Sequence, residues 1–310
     1  MTLSPTWIGI DVSKGWLDIA MPPSSTTQRI SNTAEAIAAF AAQLAPSAPI
    51  IVFEATGVYD KVLRHQLALA GIGFRRVNPQ RARDFARATG KLAKTDSLDA
   101  AMLAHMGQTL RLAPDPLPDP VRERLSLLSK RRDQLVGMRT QEKLRRIDAA
   151  DPLLVEGLDH HLAWLEQAIT AIEAAIGEMI AHHQELSRDN QLIRSVPGIG
   201  PVTAAVLVAL MPELGQRPAR QIAAVAGLAP LNHDSGTKRG QRTIGGGRRR
   251  VRQALYMAAV ASLTAKSPLA AFYKRLRDIG KPAKVALIAL ARKLLTIINA
   301  IVKTRTPFRC

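Results

Sequence analysis

The sequence predicts an α/β fold over residues 1–112 and an all-α remainder. Three observations predict it. Short apolar runs alternate with helical stretches up to Leu110; a proline-rich break, APDPLPDP, occupies residues 113–120; and beyond it helix-period patterns are separated by Gly-rich turns. The chain has 310 residues, enough for roughly two domains. With 47% hydrophobic residues it can offset its ordering entropy and fold despite a formal net charge of +18.

The elements follow in order. Residues 7–12 (WIGIDV) and 16–21 (WLDIAM) are apolar runs separated by Ser-Lys-Gly, a hairpin signal, and residues 28–30 fit a third, edge strand. An Ala-rich helix at 34–44 leads to a buried strand at 50–53 that ends at Glu54. A helix at 59–70 leads to a strand at 73–77, stopped by Asn78-Pro79. Three strands, a helix, a strand, a helix and a strand is the order of a ribonuclease-H-like sheet, although a doubly wound sheet begins similarly. After the proline-rich linker, residues 121–149 form a highly charged helical stretch. From Leu158 to Met179 apolar residues fall at 158, 162, 165, 169, 172, 176 and 179, a heptad seam. An antiparallel helical hairpin packed on itself and a seam between two chains both fit it. The expected division is 1–112 for the sheet domain, 113–190 for linker and coiled coil, and 191–310 for a helical C-terminal domain.

Charge narrows the function class. Residues 1–70 carry a net −1, 71–150 carry +8, 151–193 carry −7 and 194–310 carry +18. A near-neutral sheet, an acidic helical stretch and a basic C-terminal third suit a multidomain enzyme acting on a polyanion, with nucleic acid the first candidate. The single cysteine, Cys310, excludes an internal disulfide framework and a multi-cysteine zinc site. The N-terminus lacks the pattern of a secretory signal, so the expected setting is the cytoplasm, at the nucleoid.

Four carboxylates stand out. Asp11 lies within the first strand after WIGI, where a carboxylate is costly unless paired or bound to a cation. Glu54 ends another strand in IVFEATG; Asp96 and Asp99, in KTDSLDA, share a face where a helix opens. Converging carboxylates suit hard divalent cations, two of which can support phosphoryl transfer. Taken singly, each has a structural explanation too: Asp96 and Asp99 as a helix cap with a favourable dipole, Glu54 as an ordinary strand end. Lys14, Lys91 and Lys94 stand close by in sequence and could hold phosphates.

The C-terminal third adds a second set. SVPGIGPVTAA, with Gly198 and Gly200, resembles a helix-hairpin-helix turn that offers backbone N–H groups to a phosphate. Residues 226–259 read AGLAPLNHDSGTKRGQRTIGGGRRRVRQALYMAA. There Ser235 lies between Asp234 and Gly236, followed by Lys238, Arg239, Arg242, Arg248, Arg249, Arg250 and Arg252. A serine among guanidinium groups suits attack on a phosphodiester; it is equally what a polar turn beside backbone-anchoring arginines looks like. His233 could serve as a base or as a phosphate ligand.

The ordered set of GIDVSK, FEATG, KTDSLDA, PGIGPVTAA and GLAPLNHDSGTKRG…IGGGRRRVRQALYMAA closely resembles the DEDD-type insertion-sequence transposases, over nearly the whole chain. The resemblance implies a RuvC-like ribonuclease-H domain, a coiled-coil middle and a C-terminal transposase domain. It implies that Asp11, Glu54, Asp96 and Asp99 hold Mg²⁺, two ions per site, and that Ser235 is the nucleophile. Donor and target DNA, a structured bridge RNA and a homo-oligomer, dimer to tetramer, are the implied partners. Two other readings compete: a metal-dependent structure-specific or junction nuclease that uses water, and a non-catalytic nucleic-acid-binding protein.

Overall fold

A computed structural model describes residues 6–24, 26–44, 47–90, 96–231, 240, 242–264 and 268–309, with the backbone alone at 96–98. Two compact units result, Met1–Asp119 and Pro120–Cys310.

The first unit is built on five strands, β1 (Trp7–Val12), β2 (Trp16–Ala20), β3 (Thr27–Ser31), β4 (Ile50–Glu54) and β5 (Phe74–Val77), in the order β3-β2-β1-β4-β5. The first three are antiparallel neighbours, and β4 and β5 run parallel to β1. Ser13 sets the first hairpin: its hydroxyl accepts from the Trp16 N–H at 3.0 Å while its own N–H donates to the Trp16 carbonyl. The mixed sheet is consistent with the ribonuclease-H-like order, and the antiparallel β1-β2-β3 meander departs from an all-parallel doubly wound sheet.

Strand alternation gives the sheet two different faces. Ile8, Ile10, Leu17, Ile19, Ile51 and Phe53 pack with Ile37 and Phe40 of α1 (Ala34–Leu44) and Leu63 and Leu67 of α2 (Lys61–Leu69). On the opposite face Trp7, Val52 and Val77 pack with α3 (Pro79–Ala88) and α4 (Asp96–Leu110). The Asn78-Pro79 pair, expected only to stop a strand, also starts α3. Asn78 Oδ1 accepts from the Gln80 N–H at 2.8 Å, and Pro79 takes the first helical position, where an N–H is not needed.

In the second unit α5 (Pro120–Asp148) and α6 (Pro152–Ala181) form an antiparallel pair turned by Asp151, whose carboxylate accepts from the N–H groups of Leu153 and Leu154. The heptad seam is filled from within the chain: Leu165 and Ile169 pack on Leu135. Three ion pairs cross this helix pair seven residues apart, Arg132–Glu173, Arg139–Glu166 and Arg146–Asp159. That heptad repeat of charge beside a heptad repeat of apolar residues fixes the register.

The helices α7 (Gln184–Arg194), α8 (Pro201–Leu210), α9 (Ala219–Val225), α10 (Arg249–Ser262), α11 (Pro268–Asp278) and α12 (Ala283–Thr304) follow, with a two-stranded ribbon of β6 (Pro230–Leu231) and β7 (Thr243–Ile244) between α9 and α10. Leu125, Ile176, Ile180 and Leu186 share one core with α8, α10 and α12, so the long helices and the C-terminal ones belong to one unit. By length and composition α12 could cross a membrane. It is instead a core helix, burying Leu290, Leu294, Leu295 and Ile298 while carrying Arg292 and Lys293 at mid-length.

Candidate active site

The parallel register of β1 and β4 runs from Trp7 beside Ile50 to Ile10 beside Phe53, so the next pair along is Asp11 beside Glu54. Both residues are half-buried. In a parallel ladder, residues level with one another share a face, here the face bearing Trp7, Gly9 and Val52. Helix α4 covers it at very close range. A Cβ on Gly9 would meet the Ala100 carbonyl oxygen at 1.9 Å, and one on Gly107 would meet Trp7 and Val52 at 2.8 Å. Glycine is required at both contacts because helix and sheet leave no room for a methyl group.

These contacts also give α4 its direction. Gly107 lies over the start of β1 and Ala100 over its middle, so the helix runs antiparallel to β1 and begins near the strand's C-terminal end. Asp99 stands in its first turn, half-buried, and Asp96 opens the helix. The backbone thus brings the two strand carboxylates and the start of the carboxylate-bearing helix to the same edge of the sheet.

The donor set is all oxygen and suits a hard cation. Among the described residues no three His, Cys, Asp or Glu side chains form a metal-holding group, and the side chain of Asp96 lies outside the described ones. Asp11, Glu54 and Asp99 thus suit a hard cation by the chemistry of their oxygens, while their described side chains do not by themselves close around one.

Two further carboxylates at the sheet escaped sequence reasoning. Asp18 lies directly opposite Asp11 in the β1-β2 ladder, is 7% exposed, and receives two hydrogen bonds of 2.9 Å from Arg29. Asp60 is fully buried beside α2, where Arg76 and Arg64 donate to it. Arg76 is level with Phe53, on the face away from Asp11 and Glu54, so the Asp60 cluster braces the fold. An alternating strand pattern reads Asp18 as an ordinary outward polar residue; only the register reveals its neighbour.

Ser235 lies outside the described residues, as do His233, Lys238, Arg239, Lys91 and Lys94. Its described flanks are tightly held. β6 and β7 pair Pro230 with Ile244 and Leu231 with Thr243 on either side of that stretch. Arg252 donates to the carbonyls of Gly246 and Gly227 at 2.7 and 3.4 Å, and the Arg248 N–H donates to the Val225 carbonyl.

The arginines expected at nucleic acid divide into two groups. Arg248 makes a two-pronged bond to Glu213 at 2.6 and 2.7 Å and another to the Leu210 carbonyl; Arg250 is ion-paired with Asp133, and Arg252 holds the ribbon. Burial alone would raise the Glu213 carboxyl, but the hydrogen bonds and charge of Arg248 outweigh it and hold the group below the ordinary glutamate value. Arg242, Arg249 and Lys14 are exposed. Of the two turn glycines, Gly198 has a φ of +87° and is closed in by α10, where a Cβ would meet the Ala258 carbonyl oxygen at 2.7 Å. Gly200 caps α8 on an open side, with no side chain bonded to the first-turn amides.

Comparison with known proteins agrees with this architecture. Residues 8–152 match the DEDD transposase model of the IS110 type, and residues 190–274 match the model described as transposase IS116/IS110/IS902 family. The chain is 30% identical to a "pilin gene-inverting protein" of Moraxella bovis over 99% of its length and 98% of that protein's, and equally to its counterpart in Moraxella lacunata. A further relative, the "insertion element IS110 uncharacterized 43.6 kDa protein" of Streptomyces coelicolor, is 31% identical over 50% of this chain and 38% of its own. A chain with this carboxylate-bearing mixed sheet and full-length kinship belongs to the IS116/IS110/IS902 family of transposases and is a DNA transposase or recombinase.

Proposed function

We propose that this transposase cuts and rejoins DNA with Ser235 as nucleophile, using divalent cations, two Mg²⁺ ions per site, held by Asp11, Glu54, Asp96 and Asp99, under the guidance of a bridge RNA. The observation that supports this reading is the register that makes Asp11 and Glu54 level on neighbouring parallel strands, beside the helix that Asp96 opens. Bound there, the cations would supply charge to lower the cost of an attacking and a leaving oxygen. The serine Oγ forms a bond to phosphorus while the bond to one deoxyribose oxygen breaks, and that oxygen leaves as a hydroxyl. A hydroxyl of the exchanged strand then attacks the phosphoserine, rejoining DNA and freeing Ser235. Arg242, Arg249, Lys238 and Arg239, with Lys14 and Lys94 on the sheet unit and the Gly198–Gly200 turn, hold phosphate backbone.

Ser235 and the four carboxylates belong to different units of the chain. We infer that they meet in a homo-oligomer, up to a tetramer, in which one subunit's sheet unit serves another's Ser235. Kinship to proteins named for pilin gene inversion supports site-specific inversion as one outcome. The chain has only 12 aromatics, so sequence is read by RNA–DNA pairing more than by the protein.

The deciding experiment is Ser235→Ala beside Asp11→Asn on a plasmid carrying the element's ends. Both should abolish cleavage, and only the wild type should leave DNA covalently linked to protein. Cleavage retained by Ser235→Ala overturns the serine role and favours a nuclease that uses water.

A further inference from the structure

The helical unit contains a cavity of about 380 Å³ between α5, α6, α7, α8 and α10 that the proposed chemistry does not use. Its walls combine two kinds of surface. Ile176, Ile180, Val202, Ala205 and Val206 make an apolar side, and Arg132, Arg194 and Arg250 bring three guanidinium groups. Two carboxylates face these cations, and both are engaged: Glu173 by Arg132 at 2.7 Å, and Asp133 by Arg250 and Arg132.

The cations are not fully satisfied. Arg250 Nη2 is buried and has no hydrogen-bond acceptor among the described residues, although Nε is ion-paired to Asp133. A buried guanidinium N–H without an acceptor is costly, and an oxygen-rich ligand supplies the acceptor it lacks. Burial lowers the Arg250 pKa and raises that of Asp133, because both charged groups have lost part of their water. Arg194 makes no ion pair among the described residues and lines the same cavity. Pro201 and Val202 line it too, at the N-terminus of α8, where no side chain caps the first turn.

We propose that this cavity binds one unstacked nucleotide of a single-stranded nucleic acid, the phosphate against Arg194, Arg250 and the first turn of α8, the base against the apolar wall. The volume lies at the lower end of the roughly 300–1,000 Å³ typical of small-ligand pockets. Apolar walls accept the face of a splayed base, and Asn190, which also lines the cavity, carries the donor and acceptor that a base edge needs. The site deepens the proposed nucleic-acid function and rests on it. It assigns to Arg250 and Arg194 a role at one nucleotide instead of along a duplex backbone.

The test measures binding of the full-length protein to fluorescent 20-nucleotide rA, rU and dT strands by polarisation across a salt series. A Cβ on Gly177 would meet nothing within 4 Å, and this residue lines the cavity, so Gly177→Phe fills the space without straining the helix. It should weaken single-strand binding about ten-fold with the salt slope unchanged. Arg194→Ala should weaken binding and reduce the slope by about 0.7, the value for one phosphate on a single strand. Arg220→Ala, an exposed charge on α9, should change affinity less than two-fold. A larger Gly177→Phe loss on RNA than on dT assigns the site to RNA, and the reverse assigns it to DNA. If the wild type binds and both Gly177→Phe and Arg194→Ala match Arg220→Ala, the cavity is not the site. A change in oligomeric state with Gly177→Phe and unaltered affinity overturns the proposal in favour of a protein occupant. Failure of the wild type to bind any strand overturns the nucleic-acid reading itself.

Discussion

Asp18 on β2 stands directly opposite Asp11 on β1, so two carboxylates are cross-strand neighbours on the sheet face that α4 covers. Like charges in that position repel. Arg29, level with Asp18 on β3, relieves the repulsion by taking both oxygens of Asp18. One transverse row thus reads Arg29, Asp18, Asp11, and then Glu54.

That row predicts a coupling. Arg29 is about half exposed, so solvent screens its pair with Asp18, and its removal should cost about 1 kcal/mol at neutral pH. Removing Asp18 as well should return most of that loss. Urea melts of Arg29→Ala, Asp18→Asn and the double variant measure the coupling; additive losses would show that the pair contributes nothing beyond its separate residues.

Gly9 predicts an effect on both stability and catalysis. An Ala there must displace the Ala100 carbonyl, and with it the helix that carries Asp96 and Asp99. Gly9→Ala should destabilise by about 1–3 kcal/mol and reduce strand cleavage more than ten-fold, even at temperatures where the variant is folded. Gly15→Ala is the control, since its added methyl meets nothing within 4 Å. Thermal melts paired with a plasmid cleavage assay read both; normal cleavage by Gly9→Ala would show that the position of α4 does not set activity.

The contrast between Asp11 and Asp18 explains how much was legible in the sequence. Strand and helix positions follow from apolar period, and all five strands lie within a residue or so of where the pattern puts them. Asp11 was conspicuous because it interrupts an apolar run, whereas Asp18 occupies a polar slot of an alternating strand and gains meaning only through register. The close seat of α4 depends on Gly9 and Gly107, almost a hundred residues apart, and no local period links them. The heptad seam was equally visible, but its partner within the chain was not: period alone does not say that Leu135 of α5 packs on Leu165 and Ile169. Arg248, Arg250 and Arg252 read as a basic cluster by composition. Their hydrogen bonds and ion pairs to Glu213, Asp133 and backbone carbonyls depend on tertiary packing.

The Glu213–Arg248 pair predicts a pH dependence. The folded carboxyl lies below its unfolded value, so its stabilising contribution is present above the unfolded glutamate range and is lost as pH falls through the folded value. Wild type should exceed Arg248→Ala in stability at pH 7, and the gap should narrow from about pH 4.3 downward. A remainder should persist in acid, because Arg248 also donates to the Leu210 carbonyl, which does not titrate. Urea midpoints from pH 7 to 3 follow it, and a gap independent of pH would remove the ion pair from the account.

The three ion pairs between α5 and α6 make a prediction about register. Each pair is partly exposed, so none contributes much stability alone. Their seven-residue spacing means that sliding one helix by a single turn would break all three at once while moving Leu165 and Ile169 off Leu135. Glu166→Arg places a cation against Arg139 and should destabilise the helix pair. Adding Arg139→Glu restores opposite charges and should recover most of the loss at low salt. At 1 M salt the Debye length falls to about 3 Å, so the single reversal should cost less and the swap should return less. Helical melting of the three variants at both salt concentrations is the measurement. Recovery that ignores salt would mean the effect comes from packing of the long side chains rather than from charge.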